Sequence, residues 1–113
     1  MKQINNLTDD ARQITHFVLD DGNIIDITFT YLATIQHWQI DIIHSKLTLY
    51  GQLLSSNFNL LRQYKNILNF GIACITSDGT EPVLQNDFIS GRVAIYILDE
   101  IDVQTIEQGI LSL

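Results

Sequence analysis

The chain has 113 residues, which is enough for one domain with an apolar core of its own. Its formal net charge is −7, from thirteen Asp and Glu against six Lys and Arg, and this excludes the basic surface that nucleic-acid binding requires. The longest apolar run, residues 93–98, is far too short to cross a membrane, so we expect neither nucleic acid nor membrane as a partner.

The single cysteine, Cys74, excludes an internal disulfide and lies among Ile72, Ala73 and Ile75. These neighbours predict a buried small side chain rather than a reactive thiol. A lone cysteine fits a reducing compartment. Residues 1–5 lack the apolar segment that a signal peptide needs, so we expect no secretion signal there.

The first half of the chain predicts short strands joined by tight turns. A polar lead-in arm covers residues 1–12, and a weakly alternating strand covers 13–19. The run Asp20-Asp21-Gly22-Asn23 is typical of a hairpin turn. Residues 24–31 alternate strongly between apolar and polar, which predicts a half-buried strand. Its apolar face consists of Ile25, Ile27, Phe29 and Tyr31.

Two further strands are predicted before the middle of the chain. Residues 32–36 form a connection to a third strand, and residues 43–46 turn the chain into a fourth strand at 47–50. Gly51 ends or bends that fourth strand. The apolar face of the third strand consists of Trp38, Ile40 and Ile42.

From Phe58 onward the apolar spacing changes from that of a strand to that of a helix. We predict a helix of two or three turns, with Asn57 or Asn59 as its N-cap. Its apolar face would comprise Leu60, Leu61, Tyr64, Ile67 and Leu68.

The last third of the chain returns to strands. Residues 70–76 and 93–98 predict two of them, and Ser77-Asp78-Gly79-Thr80 predicts a second hairpin turn. Pro82 keeps the segment after it in a loop or at a sheet edge. Residues 86–91 read as another turn region.

The chain ends with a predicted helix over 103–108, capped by Asp102 and stopped by Gly109. Together these elements predict a mainly β fold, a small antiparallel barrel or sandwich of six or seven strands with one or two short helices. We expect a single domain over 1–113, with 102–113 as a short C-terminal helix or tail. Its open sheet edges need covering, and another subunit is one way to cover them.

No cluster of reactive side chains accompanies these elements. His16, His37 and His44 are isolated in sequence and are interpreted as turn or surface histidines without metal-ligand spacing. The serines lack a nucleophile motif, and the glycines lack a phosphate-binding loop. We therefore predict no catalytic, cofactor-binding or metal-binding residue and no enzyme activity.

Adjacent carboxylates are interpreted as solvated loop residues, because a catalytic pair needs a spacing that only the fold can set. The last pair instead has the position of helix N-terminal charges. The acidic turn at 78–81 lacks the ligand repeat of a calcium loop. The three pairs are Asp9-Asp10, Asp20-Asp21 and Asp99-Glu100.

Trp38, the sole tryptophan, stands at the head of an amphipathic strand, which predicts a core position. The alternatives are a sugar-stacking platform or an interface anchor. Phe58, Tyr64 and Phe70 have the spacing of a helix packed on a sheet, with a pocket lining as the alternative. The apolar tail, residues 110–113, either folds back on its own core or docks on a neighbour.

In its order of elements the chain resembles the baseplate plug family of contractile-tailed phages over residues 1–103. Two segments depart from the pattern: His44-Ser45-Lys46, where a Gly-containing turn is usual, and the tail after Asp102. The shared features are the Asp21-Gly22 hairpin, the strand 24–31, the Trp38 strand, Gly51-Gln52-Leu53-Leu54, Leu60-Leu61-Arg62-Gln63-Tyr64, the strand 71–76, Pro82 and the strand 93–98.

The resemblance implies a structural component of the virion tail baseplate that closes or lines the central channel. It implies contacts with hub, tube or tape-measure proteins, several copies per baseplate, and a stay in the host cytoplasm during assembly. It implies no catalysis and no cofactor. The residues alone leave two other functions open: a small β module that binds a carbohydrate or peptide, and a small hydrolase.

Overall fold

The computed structural model describes residues 2–111 and confirms a mainly β fold. Within those residues the chain forms seven strands in two antiparallel sheets, with one α-helix. The sheets are not closed into a barrel and share one core, so the architecture is sandwich-like. The elements are β1 Lys2–Gln3, β2 Arg12–Val18, β3 Ile24–Leu32, β4 His37–His44, β5 Leu47–Leu53, β6 Gly71–Thr76, β7 Val93–Leu98 and α1 Glu100–Leu111.

The larger sheet is a four-stranded meander in the order β2-β3-β4-β5. The predicted turn at 20–23 joins its first two strands, and Gly22 supplies the positive φ of +87° that the turn requires. The alternation predicted for β3 and β4 is confirmed, since each strand turns one row of apolar side chains into the core. The buried members are Ile25, Ile27, Phe29, Trp38, Ile40 and Ile42, all at most 2% exposed.

Gly51 bends β5 rather than ending it, and the strand continues to Leu53. The pairing register with β4 shifts between Ile40 and Ile42, so two residues of β5 stand opposite one of β4. Gly51 has a φ of +74° at this bulge, and its amide donates to Asp41 Oδ1 at 2.7 Å. The bulge adds twist at the free edge of the larger sheet.

The smaller sheet has the order β1-β7-β6, and its first strand belongs to the segment interpreted as a polar lead-in arm. Lys2 and Gln3 pair with β7, and the Ile4 amide continues the ladder by donating to Ile95 O at 2.9 Å. Ile4 itself is buried in the core. Polar side chains concealed this strand because sheet pairing uses backbone groups, which side-chain pattern does not reveal.

The helix predicted from Phe58 is wrong, and only a short 3₁₀ turn at Arg62–Tyr64 forms. The backbone before it is already engaged with β6: Asn57 and Cys74 exchange two amide–carbonyl hydrogen bonds of 2.9 Å, and the Leu60 amide donates to Ile72 O. Asn59 caps no helix. Its buried Oδ1 accepts from the amides of Leu61 and Ile72 and thereby ties the segment to the sheet.

The second hairpin, predicted at 77–80, is also wrong, because β6 and β7 are joined by the long connection 77–92. The turn at Gly79 opens this connection, and the ladder continues only where the Ser77 amide donates to Arg92 O. The connection packs Phe88 against Phe29 and Trp38, with ring centroids 5.4 and 4.8 Å apart. It therefore contributes to the core rather than forming a simple surface loop.

The terminal helix begins earlier and ends later than predicted. Asp99, rather than Asp102, is the N-cap, because its Oδ1 accepts from the Asp102 amide at 2.7 Å. Asp102 returns a bond to the Asp99 amide, which completes a capping box. Gly109 does not stop the helix, which continues to Leu111. The side chains of the tail at 110–113 lie outside the described residues.

Candidate protein interaction surface

Large apolar side chains project from the four-stranded sheet on the side away from the core, which we call the outer face. Between 44% and 70% of each of these side chains is exposed. The group comprises Ile14, Val18, Ile24, Ile43, Tyr50 and Leu53. Exposed apolar residues collected on one sheet face mark a surface that suits contact with another protein.

Strand register brings these residues together from all four strands. Val18 stands directly opposite Ile24, and cross-strand partners share one face of a sheet. Ile14 lies opposite Thr28, and Ile43 lies opposite Thr48. Many side chains on this face are β-branched, among them Ile14, Val18, Ile24, Thr28, Ile43 and Thr48. β-branched side chains have few rotamers, so they lose less conformational entropy than long flexible side chains when a partner covers them.

Three titratable groups on the outer face, His16, Asp26 and Asp41, are already partnered within the chain, and Arg12 lies at one end of this face. His16 Nδ1 and Asp26 Oδ1 are in hydrogen-bond contact between β2 and β3. Asp41 accepts the Gly51 amide at the bulge. A partner that covers this face would therefore meet few unpaired charges, which lowers the desolvation cost of contact.

The three histidines lie in separate places. His16 is on the outer face, and His37 Nε2 contacts Leu54 O at 2.7 Å. His44 is buried at 5% exposure against Phe70, so its interpretation as a turn or surface histidine is wrong. Burial lowers the pKa of His44, Asp21 acts against that shift, and Lys46 adds to it. Within residues 2–111, no three His, Cys, Asp or Glu side chains are grouped so that they could hold a metal ion.

Trp38 is fully buried, as predicted, and its Nε1 donates to Leu84 O at 2.9 Å. The carbohydrate- or peptide-binding alternative thereby loses its aromatic platform. Cys74 is also fully buried, and burial raises the pKa of its thiol to about 12. Phe58 is exposed while Phe70 is in the core, so these two rings do not line a common pocket.

The fold gathers two of the three carboxylate pairs around one groove, a juxtaposition that sequence spacing did not indicate. Asp20-Asp21 and Asp99-Glu100 both line a groove of about 420 Å³ at one end of the sandwich. All four residues are exposed to solvent, and Asp99 and Glu100 lie at the N-terminus of α1, as expected for the last pair. The remaining pair, Asp9-Asp10, is exposed elsewhere.

The acidic turn at 78–81 surrounds an arginine instead of a metal ion. Arg92 Nη1 donates to Asp78 Oδ1 at 3.1 Å and to Thr80 Oγ1, and Nη2 donates to Glu81 O at 2.8 Å. The same guanidinium pairs with the fully buried Asp87. The Asp78-Gly79 turn is the one local sign of this network in the sequence, and it does not indicate the distant Arg92.

Comparison with protein families yields a match over most of the chain. The family described as cyanophage baseplate Pam3 plug gp18 matches residues 1–100 of the chain. No curated protein shows a significant match. No helix in the described part of the chain has the length and apolar character to cross a membrane.

Proposed function

Because the chain belongs to the cyanophage baseplate plug family, and is thus a structural component of a phage tail baseplate, we propose that it packs there against hub, tube or tape-measure proteins. In this role the chain closes or lines the central channel of a phage or prophage tail. Its work is done by one folded β-rich domain, without a catalytic residue, cofactor or metal of its own. It passes through the host cytoplasm during assembly.

The main structural support for this proposal is the outer face. It offers six exposed apolar side chains on a regular sheet, where side chains are held in fixed register. The core of a protein interface is depleted in charged residues and enriched in aromatic ones, and Tyr50, 70% exposed, supplies an aromatic anchor at the edge. The partner is therefore expected to present an apolar patch rather than a strongly basic one.

Several copies of the chain are expected in each baseplate. Oligomeric assemblies are built with closed symmetry, and the edge strands β2 and β5 flank the outer face. A neighbouring subunit that pairs with an edge strand would satisfy backbone groups that otherwise bond to water. Edge pairing and face packing together would give one continuous contact.

The test is co-purification of the chain with the hub, tube and tape-measure proteins encoded by the same phage or prophage. Ile14→Lys combined with Ile43→Lys places two charges on the outer face. Ile35→Lys combined with Ile89→Lys is the matched control, since these isoleucines are 56% and 61% exposed in the connections. The measurement is the amount of partner retained by each folded variant.

We expect the outer-face variant to lose at least about tenfold in retained partner, because two charges would be buried at an apolar contact. The control is expected to retain wild-type levels. Equal retention by both variants, or failure of the wild-type chain to retain any of the three proteins, would contradict the proposal.

A further inference from the structure

We propose that the groove at the end of the sandwich binds a basic segment of another protein, one in which Lys or Arg alternates with an apolar side chain. This surface is separate from the outer face. The groove lies beside the C-terminal ends of β2 and β7 and the start of α1. The proposal goes beyond the baseplate role and does not depend on contact through the outer face.

The floor of the groove is apolar. Phe70 and Ile97 are core residues whose surfaces form its base, and Phe17 and Leu19 at the end of β2 add to it. Ile101, on the first turn of α1, is 72% exposed and stands at the rim. An apolar side chain seated here would remove Ile101 and the exposed parts of Phe17 and Leu19 from water, and burial of apolar surface is the main source of binding free energy.

The rim of the groove is acidic, and this selects the charge of the occupant. Among the described residues that line the groove, four carboxylates stand against one ammonium, that of Lys2. Lys2 Nζ donates to Asp20 Oδ1 at 3.2 Å, so a cation of the chain already contacts this rim. An anionic occupant, including an anionic lipid surface, would be repelled by the same carboxylates.

The groove is held in shape by polar contacts across it. Asn69 Nδ2 donates to Asp21 Oδ2 at 3.0 Å, which ties the hairpin turn to the segment before β6. This bond and those from Asn23 lower the pKa of Asp21, so the carboxylate is charged at neutral pH. A preformed groove costs little ordering on binding.

Lys and Arg fit this combination of floor and rim better than a compact cation does. Their long apolar stems lie along apolar surface while the charged end reaches the rim carboxylates. A neighbouring Leu or Phe of the same segment would occupy the floor. A protein segment of alternating basic and apolar residues supplies both parts at once.

The experiment is a chemical-shift titration of the ¹⁵N-labelled protein with a capped peptide of alternating Leu and Arg. A peptide with Glu in place of Arg is the charge control. The variant Asp20→Asn/Glu100→Gln removes two rim charges from exposed positions. Asp9→Asn/Asp10→Asn removes the same number of charges outside the groove and serves as its matched control.

We expect the Leu/Arg peptide to shift the amides of Asp20, Asn69, Glu100 and Ile101. Loss of the two rim charges should raise its Kd about tenfold or more, whereas the control variant should change it less than about twofold. Ile101→Ala, a change compatible with the helix, should also weaken binding, because it removes apolar contact.

The proposal is overturned if the groove amides do not move, if the Leu/Glu peptide binds as well, or if the control variant weakens binding as much as the rim variant. None of these results bears on retention of baseplate proteins through the outer face. The two proposals therefore fail separately.

Discussion

Arg92 donates two parallel hydrogen bonds to Asp87, from Nε to Oδ1 at 2.8 Å and from Nη2 to Oδ2 at 2.7 Å. Asp87 has no exposed surface, and its Oδ2 also accepts the Leu84 amide. The hydrogen bond to Asp87 raises the pKa of Arg92, so the guanidinium stays charged. This bidentate contact fixes the connection 77–92, and with it the position of Phe88 in the core.

Arg92→Ala should destabilise the protein by about 3 to 5 kcal/mol, because it leaves the Asp87 carboxylate buried without its cation. The measurement is the free energy of unfolding from denaturant titration. Arg12→Ala is the control, since Arg12 is exposed on β2 and its loss should cost at most about 0.5 kcal/mol. Equal stability of the two variants would contradict a structural role for the pair.

Gly71→Ala should destabilise the protein by about 1 to 3 kcal/mol. A Cβ at Gly71 would lie 2.6 Å from Asn59 Oδ1, the atom that accepts from the Leu61 and Ile72 amides. Asn59 is only 3% exposed and cannot move aside without losing those bonds.

Gly109→Ala is the matched substitution, and it should be neutral or stabilising by up to about 1 kcal/mol. Beyond its chain neighbours and the helix backbone, no atom of the described part of the chain lies within 4 Å of a Cβ placed there, and alanine favours the helix. Thermal or denaturant unfolding of both variants measures the contrast. A Gly71→Ala variant as stable as wild type would show that Asn59 is not the constraint.

The pH dependence of stability should depend on His44. Its Nδ1 accepts the Lys46 amide, and its buried Nε2 has no hydrogen-bond partner among residues 2–111, so the fold favours the neutral ring. Burial lowers its folded pKa below the ordinary 6.5, which means that the unfolded chain takes up the proton first. The stability that the neutral His44 contributes is therefore fully present above pH 6.5. It is lost as the pH falls from there through the lower pKa of the folded state.

His44→Gln should therefore lose less stability than wild type between about pH 7 and pH 5. Unfolding free energies across that range measure the slope, and an NMR titration of the imidazole gives its pKa directly. Parallel slopes for the two proteins, or an imidazole pKa above 6.5, would refute this account of His44.

Cys74 should resist alkylation in the folded protein. Its thiol is inaccessible, and burial raises its pKa to about 12, so almost no thiolate exists at neutral pH. Mass spectrometry after treatment with iodoacetamide measures the modified fraction, with the denatured chain as the positive control. Because the chain has one cysteine, rapid modification of the native protein would place this thiol outside the core.

Strands could be predicted from the sequence wherever one face is buried and the other is exposed to solvent. In β3 and β4 the alternation correctly assigned the apolar core residues Ile25, Ile27, Phe29, Trp38, Ile40 and Ile42, because the period of a strand is visible in sequence. It did not assign the buried His44 at the end of β4. β1 was missed for the opposite reason: Lys2 and Gln3 are both exposed, and their contribution is backbone pairing. The choice between barrel and sandwich depended on which strands pair across the ends, and side-chain pattern does not specify that.

The false helix after Phe58 shows tertiary contacts overriding local periodicity. Leu61 and Leu68 are buried as the helical face required, but Ile67 is exposed. Asn57 exchanges two backbone hydrogen bonds with Cys74, so the chain is paired with β6 where the predicted helix would begin. Long-range pairing of this kind has no signature in a single sequence.

The groove and the Arg92 network were also beyond prediction, since both join residues far apart in the chain. Asp20 and Glu100 were recognised as members of carboxylate pairs, but nothing in their spacing placed them around one groove. Nothing in the sequence around Asp87 indicates that it is buried, because it lies in a run of turn residues. By contrast, the buried position of Trp38 followed from its strand alone.

The most direct test of the baseplate assembly is the structure, by electron cryomicroscopy, of purified tails from the phage or prophage that encodes this chain. We predict copies of the chain in the baseplate with Ile14, Ile43 and Tyr50 covered by a neighbouring protein. Tails that lack the chain, or that contain it with this face open to solvent, would contradict the account.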